Sequence, residues 1–231
     1  MPTPTPLSGE VRTTSRTGAQ KGVKIEAFDL IPPRPLTLLA TYYSTGCAPG
    51  AADTAAQLFN AAQQHLTAFW FGEDVDPVSG SLHTVAAGAR CLELLGVVTG
   101  RRVDDRPPQS PGVEDVSGAV TGGVVTGGAR FDLLPLDAVV EVARHYGRGA
   151  SKYARHNWAG GYEWSKSYAS LMRHVWAFWG REDHDDETGT PHVIAAAWHC
   201  LSLTEYHFTH PDFDDRPVPG TMYTRCEDRA T

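Results

Sequence analysis

The sequence predicts an all-α protein: a tandem repeat of a three-helix unit whose two copies pack their apolar faces together as a pseudo-symmetric helical bundle. Two observations carry this, internal self-similarity and apolar residues recurring at helical spacing. Phe28-Asp29-Leu30-Ile31-Pro32 recurs as Phe131-Asp132-Leu133-Leu134-Pro135, and Ala40, Tyr43 and Gly46 fall on Ala143, Tyr146 and Gly149, all 103 positions later. Further along, His65-x-x-Ala68-Phe69-Trp70-x-x-Glu73-Asp74-x-Asp76 recurs as His174-x-x-Ala177-Phe178-Trp179-x-x-Glu182-Asp183-x-Asp185, now 109 positions later. Gly80, His83 and Cys91 also find identical partners in Gly189, His192 and Cys200. Rare residue types agree in identity and spacing together, which chance matches between helices of biased composition do not produce.

In chain order, residues 1–22 are rich in Pro, Thr, Ser and Gly without apolar periodicity, and read as a disordered tail. Residues 23–96 form the first, degenerate repeat. Residues 97–128 have linker composition, with Pro107-Pro108, Gly122-Gly123 and Gly127-Gly128, and room for a short strand at Val124-Val125. The second repeat spans 129–209. Its first helix starts at Pro135 and carries Val139, Val142, Ala143 and Tyr146 until Gly147 and Gly149. Ser165 is the expected cap of the second, whose Tyr168, Leu171, Met172, Val175 and Trp179 make one stripe. Thr190-Pro191 starts the third, through Ile194, Ala197, Leu201 and Tyr206. Residues 210–231 read as a C-terminal tail.

Composition narrows the function. A formal charge of −7 argues against a basic face for a nucleic-acid polymer. A single nucleotide stays possible, because a cation can supply positive charge locally. Four scattered cysteines, Cys47, Cys91, Cys200 and Cys226, contain no CxxC pair and suggest neither a zinc knuckle nor a disulfide framework. Cys91 and Cys200 sit at equivalent positions on apolar helices, where buried thiols are the default. The N-terminus lacks a signal-peptide pattern, and no run nears the roughly 18 apolar residues of a membrane span. A cytoplasmic protein without membrane contact is expected, the host cytoplasm if it is viral.

The densest chemistry lies in Glu182-Asp183-His184-Asp185-Asp186-Glu187. Were the second helix to continue this far, His174, Phe178, Glu182 and Asp185 would lie along one flank, and two converging carboxylates would call for a hard cation such as Mg²⁺ or Mn²⁺. A solvated acidic loop is the plainer reading, weakened by the recurrence of the motif in the first repeat. His192 is placed to ligate a softer metal, donate to a phosphate oxygen or orient a carboxylate. Asp137 and Glu141, four apart on one helix face, either complete a metal cage with Glu182 and Asp185 or are exposed polarity. In Gly149-Ala-Ser-Lys152-Tyr153-Ala-Arg155-His156-Asn157-Trp158, Lys152 and Arg155 suit phosphates, Asn157 a base edge, and Tyr153 or Trp158 a stacked base; a packed loop with an aromatic anchor is the alternative. The first repeat lacks this block, and Asp137 and Glu141 become Arg34 and Leu38 there. It is expected to be a decayed structural or regulatory partner.

Residues 130–206, carrying Phe131-Asp132-Leu133-Leu134-Pro135, Gly149-Ala150-Ser151-Lys152-Tyr153, Asn157-Trp158, Arg173-His174-Val175-Trp176-Ala177-Phe178 and the segment Glu182 to His192, resemble the dATP/dGTP diphosphohydrolase domain of bacteriophages. That family is similar to the MazG-like all-α nucleoside triphosphate pyrophosphatases. The resemblance implies Mg²⁺- or Mn²⁺-dependent hydrolysis of a purine deoxynucleoside triphosphate to monophosphate and pyrophosphate, in phage nucleotide-pool metabolism. It implies Glu182, Asp185, Glu141 and His192 as catalytic residues, with Glu182, Asp185, Asp137 and Glu141 as metal ligands. Lys152, Tyr153, Asn157, Trp158, Arg173 and His174 are the implied substrate contacts. Glu182-x-x-Asp185 fits the E-x-x-D pair of MazG-like enzymes, whereas Asp137 and Glu141 depart from their E-x-x-E pair. A catalytically silent purine-nucleotide binder and a structural helical interaction module remain open alternatives, and helix packing leaves room for a homo-oligomer.

Overall fold

Two long apolar helices, α3 (His83–Val98) and α6 (His192–Thr209), cross the centre of the molecule side by side. They run antiparallel: Thr84, near the start of α3, meets Thr204, near the end of α6, hydroxyl to hydroxyl at 2.7 Å. Gly88 lies against Cys200, where an added Cβ would come to 3.2 Å of the cysteine's Cβ, so a small residue permits the close approach. Both helices are buried almost all round, as expected of elements flanked on every side.

The computed structural model describes residues 11–14, 20–23, 26–106 and 131–217. Among them, α1 (Pro33–Tyr43), α2 (Ala55–Trp70) and α3 form the first unit, and α4 (Leu136–Lys152), α5 (Trp164–Trp179) and α6 the second. The expected all-α duplication is therefore found. Within each unit the second and third helices pack together, and α1 and α4 rest on α3 and α6 respectively. Helices α2 and α5 meet through large aromatics: Phe59 stacks on Trp179 at 4.2 Å, Trp70 on Tyr168 at 4.3 Å and Phe69 on Trp164 at 5.9 Å. Tyr168 and Trp179 belong to the apolar stripe expected for the second repeat, and Phe59 and Trp70 stand 109 positions before them, so the duplicated motif supplies both sides of its own interface.

The units also exchange their leading turns. The Phe28–Leu30 turn packs on α4, with the Ala27 amide donating to the Ala143 carbonyl at 3.0 Å, and the Phe131–Leu133 turn packs on α1. Their trailing segments exchange as well. Arg106 reaches the second unit, donating to the Phe178 carbonyl at 2.8 Å and to Asp183 at 2.6 Å while gripping Asp104 with its other nitrogens. Arg216 does the same in reverse, donating to the Phe69 carbonyl at 2.7 Å, pairing with Asp74 at 2.9 Å and gripping Asp214. Each guanidinium lies over the phenylalanine ring it serves, at 4.2 and 4.5 Å. Asp105 accepts from the Ala56 amide at the start of α2, and Asp215 from the Ser165 amide at the start of α5.

Several expected boundaries shift. The repeats extend through Arg106 and Arg216, into stretches read as linker and tail. Within the expected disordered tail, Val11–Thr14 (β1) and Gln20–Val23 (β2) pair as an antiparallel hairpin. The possible strand at Val124-Val125 lies outside the described residues. Helix α4 passes Gly147 and Gly149 and ends at Lys152, because Tyr153 still donates to the Gly149 carbonyl at 2.8 Å. Ser165 lies inside α5, whose amide partner is Asp215, and α6 begins at His192 with Pro191 as its N-cap.

Candidate functional site

Helix α5 does not continue to Asp185. It stops at Trp179, where Gly180 ends the helix and Arg181 turns the chain with φ 71°, letting the Glu182 amide donate back to the Ala177 carbonyl at 3.0 Å. A hairpin-like loop follows. His184 bridges Pro191, the Asp185 amide donates to the Thr190 carbonyl at 2.9 Å, and the Gly189 amide, at φ 65°, to the Asp185 carbonyl at 2.7 Å. The His192 amide closes the loop on the Asp183 carbonyl at 3.0 Å.

The loop carries Asp185 to His174 of α5 and His192, the first residue of α6. One ligand-capable atom from each lies within 4.8 Å of the others, and the two imidazole Nδ1 atoms are 2.8 Å apart. Burial first, then the neighbouring His192, pushes the His174 imidazole down to about 4, leaving a neutral ring with a lone pair at neutral pH. Burial pushes the Asp185 carboxyl up, but the Thr188 hydroxyl and amide outweigh it, and the group sits below its usual range as an anion. On the far side of His192, Glu182 Oε2 lies 3.9 Å from Nε2. Two imidazoles and one carboxylate on three separate elements are a donor set for a divalent transition metal, Mn²⁺ included, with coordination positions left over. They suit Mg²⁺ less, since Mg²⁺ favours oxygen ligands.

The carboxylate cage expected from Glu182, Asp137 and Glu141 is not assembled. Glu182 is 71% exposed and sits behind His192, in the place of an orienting group. Asp137 is ion-paired with Arg101, and Glu141 with Arg144 at 2.5 Å. Both face a groove that they share with Arg101 and His184, because their side of α4 turns toward the end of α3. His174, expected to touch substrate, and His192, expected to be catalytic, supply the imidazoles instead.

The substrate contacts fare differently. Lys152, Tyr153, Asn157, Trp158, Arg173 and His174 all line one cavity of about 820 Å³ between α4, the Asn157–Gly160 turn, α5 and α6. Arg155 points elsewhere, into a 2.5 Å ion pair with Asp29. The cavity adds Arg148, His145, Trp198 and His199, which sequence reasoning had not assigned to it. Arg148, Lys152 and Arg173 face it, with Glu187 the one acidic residue of its lining among the described residues. Glu187 is engaged by Lys152 at 2.5 Å. Burial pushes His145 down to about 4 and His199 well below its ordinary value, so these rings contribute neutral surface. His174 belongs to both the cavity and the triad.

The first unit repeats the triad in His65, Asp76 and His83, with the Nδ1 atoms again 2.8 Å apart. The signal common to both was in the sequence: His-x10-Asp-x6-His occurs twice, and carboxylate spacing distracted from it.

Fold and site thus define a duplicated helical domain with two His-Asp-His clusters, one of which opens on a cationic, aromatic cavity. The chain belongs to the family described as dATP/dGTP diphosphohydrolase, N-terminal, whose model matches residues 15–106 and 122–216, most of both units. It is also 34% identical over 103 residues to a dATP/dGTP diphosphohydrolase of Salmonella phage PMBT28, a match covering 43% of this chain and 35% of that protein. The similarity therefore spans about a third of the length of the relative. No solved structure matches the chain significantly. Among the described residues, no helix is long and apolar enough to cross a membrane.

Proposed function

We propose that the second unit binds a purine deoxynucleoside triphosphate in the 820 Å³ cavity and hydrolyses it to monophosphate and pyrophosphate beside the His174–Asp185–His192 cluster, as part of phage nucleotide-pool metabolism. The observation that carries this is the double membership of His174: the side chain that helps line a nucleotide-sized, cationic cavity also belongs to the metal-compatible triad. The name of the phage relative supports the choice of substrate.

Arg148, Lys152 and Arg173 neutralise phosphate oxygens, Arg148 and Lys152 from α4 and Arg173 from α5 across the cavity. Trp158 and Tyr153 offer faces for the base, and the Asn157 amide offers a donor and an acceptor for its edge. His174, Asp185 and His192 would hold the divalent ion, and Glu182, 3.9 Å behind His192, is placed to orient that ring. Such an ion would supply Lewis-acid polarisation of phosphate and activation of water. Water adds to the α-phosphorus, the bond to the bridging oxygen of the β-phosphate breaks, and pyrophosphate leaves.

The test incubates the full chain with each of the four deoxynucleoside triphosphates and Mn²⁺, Zn²⁺ or Mg²⁺, assaying monophosphate and pyrophosphate. Purine-selective pyrophosphate release is expected; inorganic phosphate as the product, or no product from any pairing, would overturn hydrolysis at the α-phosphorus. A second reading, nucleotide binding without turnover, is favoured by the recurrence of the triad in the unit that lacks the Gly149–Trp158 block. Saturable dATP or dGTP binding with no product would select it.

A further inference from the structure

We infer that the first unit holds a second divalent transition-metal ion, on His65, Asp76 and His83, and that this centre is structural and has no catalytic cavity. Ligand-capable atoms of the three residues lie within 4.8 Å of one another. The agreement with the second cluster reaches into the surroundings. The imidazole Nδ1 atoms are 2.8 Å apart in both, the ring centroids 5.1 Å apart in both, and a glutamate stands 3.9 Å behind the buried histidine in both, Glu73 behind His83 as Glu182 behind His192. The loops match as well. The Asp76 amide donates to the Ser81 carbonyl at 2.8 Å, Gly80 to the Asp76 carbonyl at 2.8 Å and His83 to the Asp74 carbonyl at 2.9 Å. Ser79 holds the Asp76 carboxylate as Thr188 holds Asp185.

This conservation is selective between the two halves. The block from Lys152 to Trp158 is lost, the first unit being six residues shorter here and running Cys47-Ala48-Pro49-Gly50 after Gly46, and Arg34 and Leu38 replace Asp137 and Glu141. His145 and His199, which line the cavity, are replaced by Tyr42 and Arg90, joined to each other at 2.6 Å. A duplicated unit that has exchanged its cavity-lining residues yet kept two histidines and an aspartate on three elements has kept what a bound ion needs. His83 is 5% exposed, and among the described residues its Nε2 has no hydrogen-bond partner, so the ring is not held there by a network that hydrogen bonding alone completes. An ion on these donors would pin the Glu73–His83 loop to α2 and α3, in the manner of a metal clip.

The test titrates the untagged full chain with Co²⁺, followed by visible absorption and by equilibrium dialysis with metal analysis. The wild type is expected to take up two equivalents, His83→Asn one, and a chain carrying both His174→Asn and His192→Asn also one. A wild-type count of one or none overturns the inference, as does a count that His83→Asn leaves unchanged. Asp76→Asn, nearly isosteric and partly exposed, is judged by the same count should His83→Asn fail to fold. Nucleotide turnover measured in parallel separates this inference from the proposed function: two ions without turnover defeat the enzyme reading alone, and turnover with one ion, lost only on substituting the second cluster, defeats the first-unit centre alone.

Discussion

Arg181 occupies a backbone position that its counterpart in the first unit assigns to glycine. Its φ is 71°, and Gly72, 109 positions earlier, has φ 92°. A side chain in the left-handed region costs about 1 kcal/mol. Arg181 offsets part of that through its contact with Asp104 at 3.2 Å and a hydrogen bond to the Arg106 carbonyl. Alanine keeps the strain and loses both contacts, whereas glycine loses the contacts and the strain together. Arg181→Gly is expected to be more stable than Arg181→Ala by about 1 kcal/mol in urea unfolding, and equal stabilities would show the position to be unstrained. At the cavity mouth the balance is electrostatic. Lys152 is ion-paired with Glu187, so a phosphate entering the cavity would compete with that carboxylate. Glu187→Gln should tighten purine-triphosphate binding several-fold, and Lys152→Ala should weaken it on the order of tenfold. Calorimetric titration measures both, and an unchanged affinity in both variants would remove Lys152 from the binding site.

At the scale of the element, turns show most clearly what was legible in the sequence. The duplication, the amphipathic stripes and the Lys152-to-Trp158 block were readable because helical spacing and repeated identities are local signals. The grouping of His174, Asp185 and His192 was not, since it depends on where α5 stops. Continuing the helix puts Glu182 and Asp185 on one flank; stopping it at Trp179 turns Glu182 outward and brings Asp185 to two histidines on other elements. Gly180 and the repeated Gly189 were the available hints. The Asp104-Asp105-Arg106 and Asp214-Asp215-Arg216 repeats were equally visible, but their Pro-rich surroundings resembled a linker. Two glycines now separate conformational cost from steric cost. Gly189, at φ 65°, faces open space, so Gly189→Ala should cost about 1 kcal/mol. Gly161 has φ 71° and ψ 161°, a region almost confined to glycine, and a Cβ there would collide with the His210 ring. Gly161→Ala is expected to cost about 3 kcal/mol and to displace the Asn157–Gly160 turn from the cavity. Equal losses in a denaturant titration would contradict that ranking.

For the whole molecule, the exchanged arginines decide whether two units behave as two domains or as one. Arg106 is carried by the end of the first unit but anchors Asp183, whose carbonyl receives the His192 amide; Arg216 is carried by the second and anchors Asp74, whose carbonyl receives the His83 amide. Each of the two aspartate-bearing loops is therefore held by the opposite unit. The fork of Arg106 keeps the Asp104 carboxyl below its usual range, so the clamp is ionised well into mild acid. Both guanidinium groups are nearly enclosed, with side chains 4% and 7% exposed, and removing either leaves two carboxylates and a phenylalanine carbonyl without that partner. A loss of about 2 kcal/mol is expected from Arg106→Ala or Arg216→Ala. The more telling outcome is where metal affinity falls. Arg106→Ala should weaken Co²⁺ binding at His174–Asp185–His192 and spare His65–Asp76–His83, and Arg216→Ala should do the reverse. Titrating each variant in backgrounds that retain one cluster reads this directly. Units that were independent domains would lose affinity only on the side carrying the substitution, so the crossed pattern is the result that a single interlocked fold requires.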